Sequence, residues 1–192
     1  MGLMVHSLDG IPEGHQCDYY IYLLDYGWNE PLSEALKKNF GKMATLASEQ
    51  KNAVVIMRTD EGVHFSDEVL SWHSINGDDA EKENLLPAIL LTNRHPADFR
   101  QRAMGMKNSI EDDLKLILIP LKKYCKDTTQ VVELIQKIFA KIKNGEDLEN
   151  FGITQQKKKG IRGALASSIV IEPKFMGMGF SLNKLVSYFK DK

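Results

Sequence analysis

The chain has 192 residues, a length that suits one domain with an elaboration and that buries a core without disulfide or metal staples. Hydrophobic residues make up 43% and charged residues 27%, and the net charge of -1 gives no global drive toward nucleic acid or an anionic membrane. No apolar run approaches a bilayer span, and the opening Met1-Gly2-Leu3-Met4-Val5-His6 matches neither a secretory signal nor a myristoylation site, so a cytoplasmic protein without membrane contact is expected.

Residues 1–17, with Gly10, Pro12 and Gly14, read as a lead-in arm. Asp18 to Tyr26 is a nearly continuous aromatic and aliphatic run, the pattern of a buried central strand. Gly27 and Trp28 break it. Pro31 then suits the first turn of a helix, where its missing N–H costs nothing, and Asn29 is a cap candidate just before it. Leu32, Leu36, Phe40, Met43, Ala44 and Ala47 give that helix one apolar face as far as Gln50. Ala53 to Met57 is a second buried strand, and a β-α-β unit of this kind predicts parallel strands with a right-handed crossover.

Residues 58–84 are polar and acidic, with one short helix expected within 63–73 and turn chemistry at Asn76-Gly77-Asp78-Asp79. Pro87 to Thr92 reads as a third strand, Pro96 to Phe99 as a short helix or turn, and Leu114 to Leu121 as a fourth strand. Thr128 or Thr129 is expected to cap an amphipathic helix carrying Val131, Leu134, Ile135, Ile138, Phe139 and Ile142, which Gly145 ends. Beyond it the pattern predicts a helical turn over 148–153, a basic loop over 155–163, a strand over 167–171 and a closing helix with Leu182, Leu185, Val186 and Phe189. The domain reading is an α/β core with its arm over 1–146 and an extension over 147–192 packed on it.

Two of these features, the Trp28-Asn29-Glu30-Pro31-Leu32 turn between strand and helix and the proline that opens the third strand, resemble the thioredoxin superfamily. There a Trp-Cys-x-Pro-Cys turn opens the first long helix, and a proline, usually cis, precedes an apolar strand. The resemblance spans residues 18–143 and implies a mixed central sheet with helices on both faces. A Rossmann-like or flavodoxin-like sheet is the alternative. Asn29 and Leu32 occupy the two cysteine positions, so the thiolate that disulfide exchange requires is missing from that turn. Cys17 and Cys125 form no CxxC and read as incidental thiols. The long spacer around Met104 to Asp113 and the last 45 residues depart from the family pattern.

Several groups are candidates for function, each beside a plainer structural reading. Trp28, Asn29, Pro31 and Pro87 would line a groove for an extended peptide, or else only cap a helix. Asp60, Glu61, His64, Asp67, Glu68 and His73 offer ligand and acid–base chemistry, yet lack metal-site spacing and read as a solvated loop. Arg94 and His95 follow a strand end, where open α/β sheets bind ligands; with Asp25 they are the residues a catalytic role would use. Lys157, Lys158, Lys159 and Arg162 could meet phosphates or an acidic partner. Phe175 and Phe180, set among Met176, Met178 and glycines, form an adaptable contact surface or a packed tail.

The expectation is therefore a non-catalytic interaction or adaptor subunit of a prokaryotic multi-protein system, with a protein partner, no cofactor and no metal; no single residue carries the prokaryotic setting. The alternatives are a small nucleotide-binding protein or hydrolase using Asp25, Arg94 and His95, and a nucleic-acid accessory using the 157–162 loop.

Overall fold

The computed structural model describes residues 1–13, 17–27, 29–50, 53–73, 75, 85–103, 115–146, 153–156 and 168–171. Its strands are β1 (Gly2–Val5), β2 (Tyr19–Leu24), β3 (Ala53–Arg58), β4 (Ala88–Thr92), β5 (Lys115–Pro120), β6 (Ile153–Gln156) and β7 (Ser168–Ile171). They form one sheet in the order β1-β3-β2-β4-β5-β6-β7. The helices are α1 (Pro31–Gln50), α2 (Phe65–Trp72), α3 (Pro96–Ala103), the single turn α4 (Leu121–Tyr124) and α5 (Thr128–Asn144).

The sheet is mixed. β1 and β2 flank β3 in parallel, β4 runs antiparallel to β2, and β5, β6 and β7 each run antiparallel to the strand before. The doubly wound alternative, a parallel sheet throughout, is overturned by these antiparallel pairings. β3 leaves the sheet at the same end at which β4 enters it, because β3 runs parallel to β2 and Leu24, the last residue of β2, pairs with Ala88, the first of β4; β4 therefore runs the opposite way.

Alternation along the strands divides the core into two layers. Ile21, Leu23, Val55, Met57, Ile89, Leu91, Ile117 and Ile119 face α1 and α5, where they meet Leu36, Met43, Ala47, Val131, Ile135 and Ile138. Tyr20, Tyr22, Leu24, Val54, Ile56, Ala88, Leu90, Leu116 and Leu118 face the other way, toward Leu8, Ile11 and the Phe65, Val69 and Leu70 side of α2. Burying each of the larger aliphatic side chains stabilises the fold by roughly 1.5–3 kcal/mol before entropy is subtracted.

Several boundaries differ from the sequence expectation. The arm contains β1, a four-residue edge strand too short to show a period. Gly2 is required there, because a Cβ would run into the Ala44 methyl where β1 passes beneath α1. The cap of α5 is Asp127, whose carboxylate accepts the Gln130 N–H at 2.9 Å, not Thr128 or Thr129. Gly145 ends that helix in the left-handed region at φ 64, as its position predicts. Glu30, not Asn29, directly precedes α1, and its carbonyl accepts the Glu34 N–H at 2.9 Å. Gln155 and Gln156 belong to β6, paired with Leu116 and Lys115, rather than to a loop. The helical turn expected over 148–153 ends instead in the first residue of β6, and its other residues lie outside the described ones, as does the predicted closing helix. Among the described residues no helix is long and apolar enough to cross a membrane.

Candidate functional site

The strand register sorts the sequence candidates onto the two ends of the sheet. Leu24 pairs with Ala88 and Ala88 with Pro120, so Asp25, Pro87 and Leu121 share one end. Tyr20 pairs with Thr92, so Asn93, Arg94 and His95 leave β4 at the other. Strands of this length separate the ends by roughly 15–20 Å.

At the first end, Asp25 is 5% exposed and wired into three elements. Its carboxylate accepts hydrogen bonds from the Gly27 N–H and from the Ser33 hydroxyl in the first turn of α1. Its backbone N–H donates to Ser66 Oγ at 3.0 Å, and the Ser66 hydroxyl donates to the Asp25 carbonyl at 2.9 Å, tying the strand end to α2. Tyr26 continues this link, donating its hydroxyl to Asp67 at 2.8 Å. Arg58, buried at the end of β3, donates to the Tyr26 carbonyl at 3.3 Å and to the Thr59 and Asp60 carbonyls at 3.2 Å. A negative side chain under the start of α1 also suits the helix dipole. The geometry gives Asp25 a positioning role: it fixes where α1 begins.

Above this buried network lies an exposed rim of Asn29, Glu30 and Pro31. A Cβ on Gly27 would sit 2.8 Å from the Asn29 amide nitrogen, so the turn closes tightly over a glycine. Beside the rim is Pro87, buried, with a cis Leu86–Pro87 bond. The Pro87 carbonyl accepts the Leu121 N–H at 2.8 Å, which holds α4 at the same end, and Lys122 of α4 reaches Glu30 at 3.0 Å. Three chain segments thus meet around the start of α1. Trp28 lies outside the described residues, as do Lys157, Lys158, Lys159, Arg162, Phe175 and Phe180.

The opposite end separates His95 from Asp25, so the three residues a catalytic role would use do not form one site. His95 accepts the Ala97 N–H on Nδ1 at 3.1 Å and faces the Pro12 carbonyl with Nε2 at 3.2 Å, which assigns the ring proton to Nε2. Its ring stands edge-on to Tyr20 at 5.4 Å. Both nitrogens are committed to holding the start of α3 against the chain before β2. Asn93 likewise closes the β4–β5 end, its side chain accepting the Lys115 N–H at 2.8 Å. Arg94 takes its backbone N–H to Thr92 Oγ1 at 3.3 Å.

The segment expected to be a solvated loop is more ordered than its composition implies. Asp60 pairs with Lys37 at 2.9 Å, Glu68 accepts the Leu8 N–H at 2.9 Å, and His73 is buried at the end of α2. Among the described residues no group of three potential ligands converges as a metal site. Cys17 and Cys125 are both free thiols; burial raises both, that of Cys125 to about 11, which keeps them protonated and poor nucleophiles at neutral pH. Sequence reasoning missed Ser33, Ser66 and Arg58, each an ordinary residue whose role arises only when β2, α1, α2 and β3 end together.

No protein-family model matches the chain, and no curated protein and no solved structure matches it.

Proposed function

We propose that this chain is a thioredoxin-like module without disulfide chemistry that binds an extended segment of a protein partner, as one component of a larger assembly. The observation that carries the reading is the meeting of the exposed Asn29-Glu30-Pro31 rim with the buried Pro87, which precedes β4, on one sheet end. The sheet order β1-β3-β2-β4-β5, with its parallel β1, β3 and β2 and antiparallel β4 and β5, supports the same resemblance. At that end Asn29 and Leu32 replace the thiols, so the turn offers a surface rather than a nucleophile. Lys122 is paired with Glu30 at 3.0 Å, so that pair offers a partner no net charge.

The test is a displayed library of extended peptides selected on the purified chain, with binding mapped by amide NMR shifts. Enriched peptides should perturb Asn29, Glu30, Leu32, Ser33 and Ala88 and leave Asn93 to Ala97 unmoved. Shifts centred on Asn93 to Ala97 would refute the reading. The resemblance has its own check. An Asn29→Cys/Leu32→Cys variant should gain disulfide reductase activity with an acidified thiol at position 29, because the dipole of α1 stabilises a thiolate there. A pair that forms no disulfide and reduces nothing would remove that support.

A further inference from the structure

Among the described residues, the Tyr22 hydroxyl and His73 Nε2, on the sheet face under α2 and α3, are buried polar atoms with no hydrogen-bond partner. Both side chains are essentially sealed, Tyr22 at 0% and His73 at 2% exposure. The imidazole is packed between two rings. Its centroid lies 4.1 Å from that of Phe99 on α3 and 5.4 Å from that of Tyr22 on β2, the latter edge-on. Nδ1 lies 2.7 Å from the Val69 carbonyl, a pure acceptor, so Nδ1 carries the proton and Nε2 presents a bare lone pair.

A second proton on Nε2 would place a full positive charge in this apolar layer. From β2 the titratable group facing the ring is Tyr22, whose own burial holds it in the neutral phenol form. From α3 it meets the Phe99 ring, while Asp98 of that helix acts on Tyr20. On its own helix, Asp67 is engaged by the Tyr26 hydroxyl and Glu68 by the Leu8 N–H. None of these carboxylates is aimed at the imidazole, so among the described residues the charge would find no counter-charge, which a protein interior tolerates only by opening.

The other end of the same helix bears on the candidate site. Phe65–Trp72 starts with Ser66, bonded to both backbone groups of Asp25, and with Asp67, bonded to Tyr26. α2 is therefore a strap: His73 fastens one end to the core, and Ser66 and Asp67 fasten the other to the turn before α1.

We propose that His73 is an acid-sensitive latch, whose neutral ring between Tyr22 and Phe99 holds α2 on the sheet and whose protonation releases α2 and, with it, the Ser66 and Asp67 contacts to the Asp25–Gly27 turn. The latch belongs to the fold itself and holds whether or not the rim binds a peptide. Burial sets its working range, lowering the imidazole from 6.5 to about 4, so protons bind the opened form first as pH falls. Linkage between those two values makes opening of α2 about twenty-fold more favourable at pH 5 than at pH 7.

The experiment is hydrogen exchange on the full chain at pH 7 and pH 5, corrected for intrinsic rates, comparing amides of α2 with those of α5. The expected result is that α2 amides are less protected than those of α5 at both pH values, and that their protection falls about twenty-fold from pH 7 to pH 5, a fall abolished in His73→Phe, which keeps a ring and cannot titrate. An NMR titration of His73 in the unmodified chain decides the matter if that variant fails to fold: the ring should stay neutral in the folded state at pH 5. Titration near 6.5 with no change in α2 exchange, α2 amides protected as strongly as those of α5 at both pH values, or an unchanged loss in His73→Phe would each overturn the latch.

Discussion

The two faces of the sheet are held by different physics. Toward α1 and α5 the strands present aliphatic side chains, and the two long helices cover them with more of the same. Toward α2 and α3 the strands present Tyr20 and Tyr22 among aliphatics, and the cover is made of two eight-residue helices, of which α2 is fastened by hydrogen bonds that Ser66 exchanges with Asp25 and that Asp67 and Glu68 accept. Aliphatic packing has no proton to gain or lose, so the first face is a scaffold indifferent to pH. The second depends on particular polar groups in particular protonation states. The candidate rim sits where the two meet, because α1 starts on one side of Asp25 and α2 on the other.

The contrast makes ordered predictions. Leu36→Ala, at a fully buried position of the scaffold face, should cost about 3–4 kcal/mol in urea unfolding, and by the same amount at pH 7 and pH 5. Asp25→Ala should cost about 2–3 kcal/mol, since it strands the Gly27 N–H and the Ser33 hydroxyl without an acceptor; Asp25→Asn, which keeps an acceptor oxygen, should cost less. The pH dependence comes next. An imidazole held near 4 in the folded chain and free to titrate at 6.5 when unfolded contributes stability that is complete above pH 6.5 and declines as pH falls toward 4. By pH 5 roughly 2 kcal/mol should be gone, and His73→Phe should flatten that slope. The smallest effect belongs to the scaffold's ends: Asp127→Ala should cost about 1 kcal/mol by removing the cap of α5. Equal pH slopes for Leu36→Ala and His73→Phe would erase the distinction between the faces.

Much of this was legible in the sequence. The runs at Tyr19–Leu24, Ala53–Arg58 and Lys115–Pro120 show continuous burial directly, and the spacing from Leu32 to Ala47 shows one helical face. Pro31 and Gly145 mark ends because their backbone chemistry allows little else. β1 was hidden because four residues cannot display a period, and its glycine has a reason only in the nearby Ala44. The pairing of Asp25 with His95 failed because a strand-end residue carries no label for which end it occupies; only the antiparallel register of β2 and β4 places them apart. His73 was grouped with a polar loop because Asp60, Glu61, Asp67 and Glu68 precede it, whereas Tyr22 and Phe99, which bury it, are distant along the chain.

The proposed function makes the Asn29-to-Pro31 rim, and not the Asn93-to-Ala97 end, the surface for a protein partner. The most direct measurement is photo-crosslinking in the native host from an aryl-azide or benzophenone side chain introduced at Glu30, with the same probe at His95 as the matched control. The account predicts one reproducible adduct from position 30, displaced by excess unlabelled chain and absent from position 95. Adducts from position 95 with none from position 30 would contradict it.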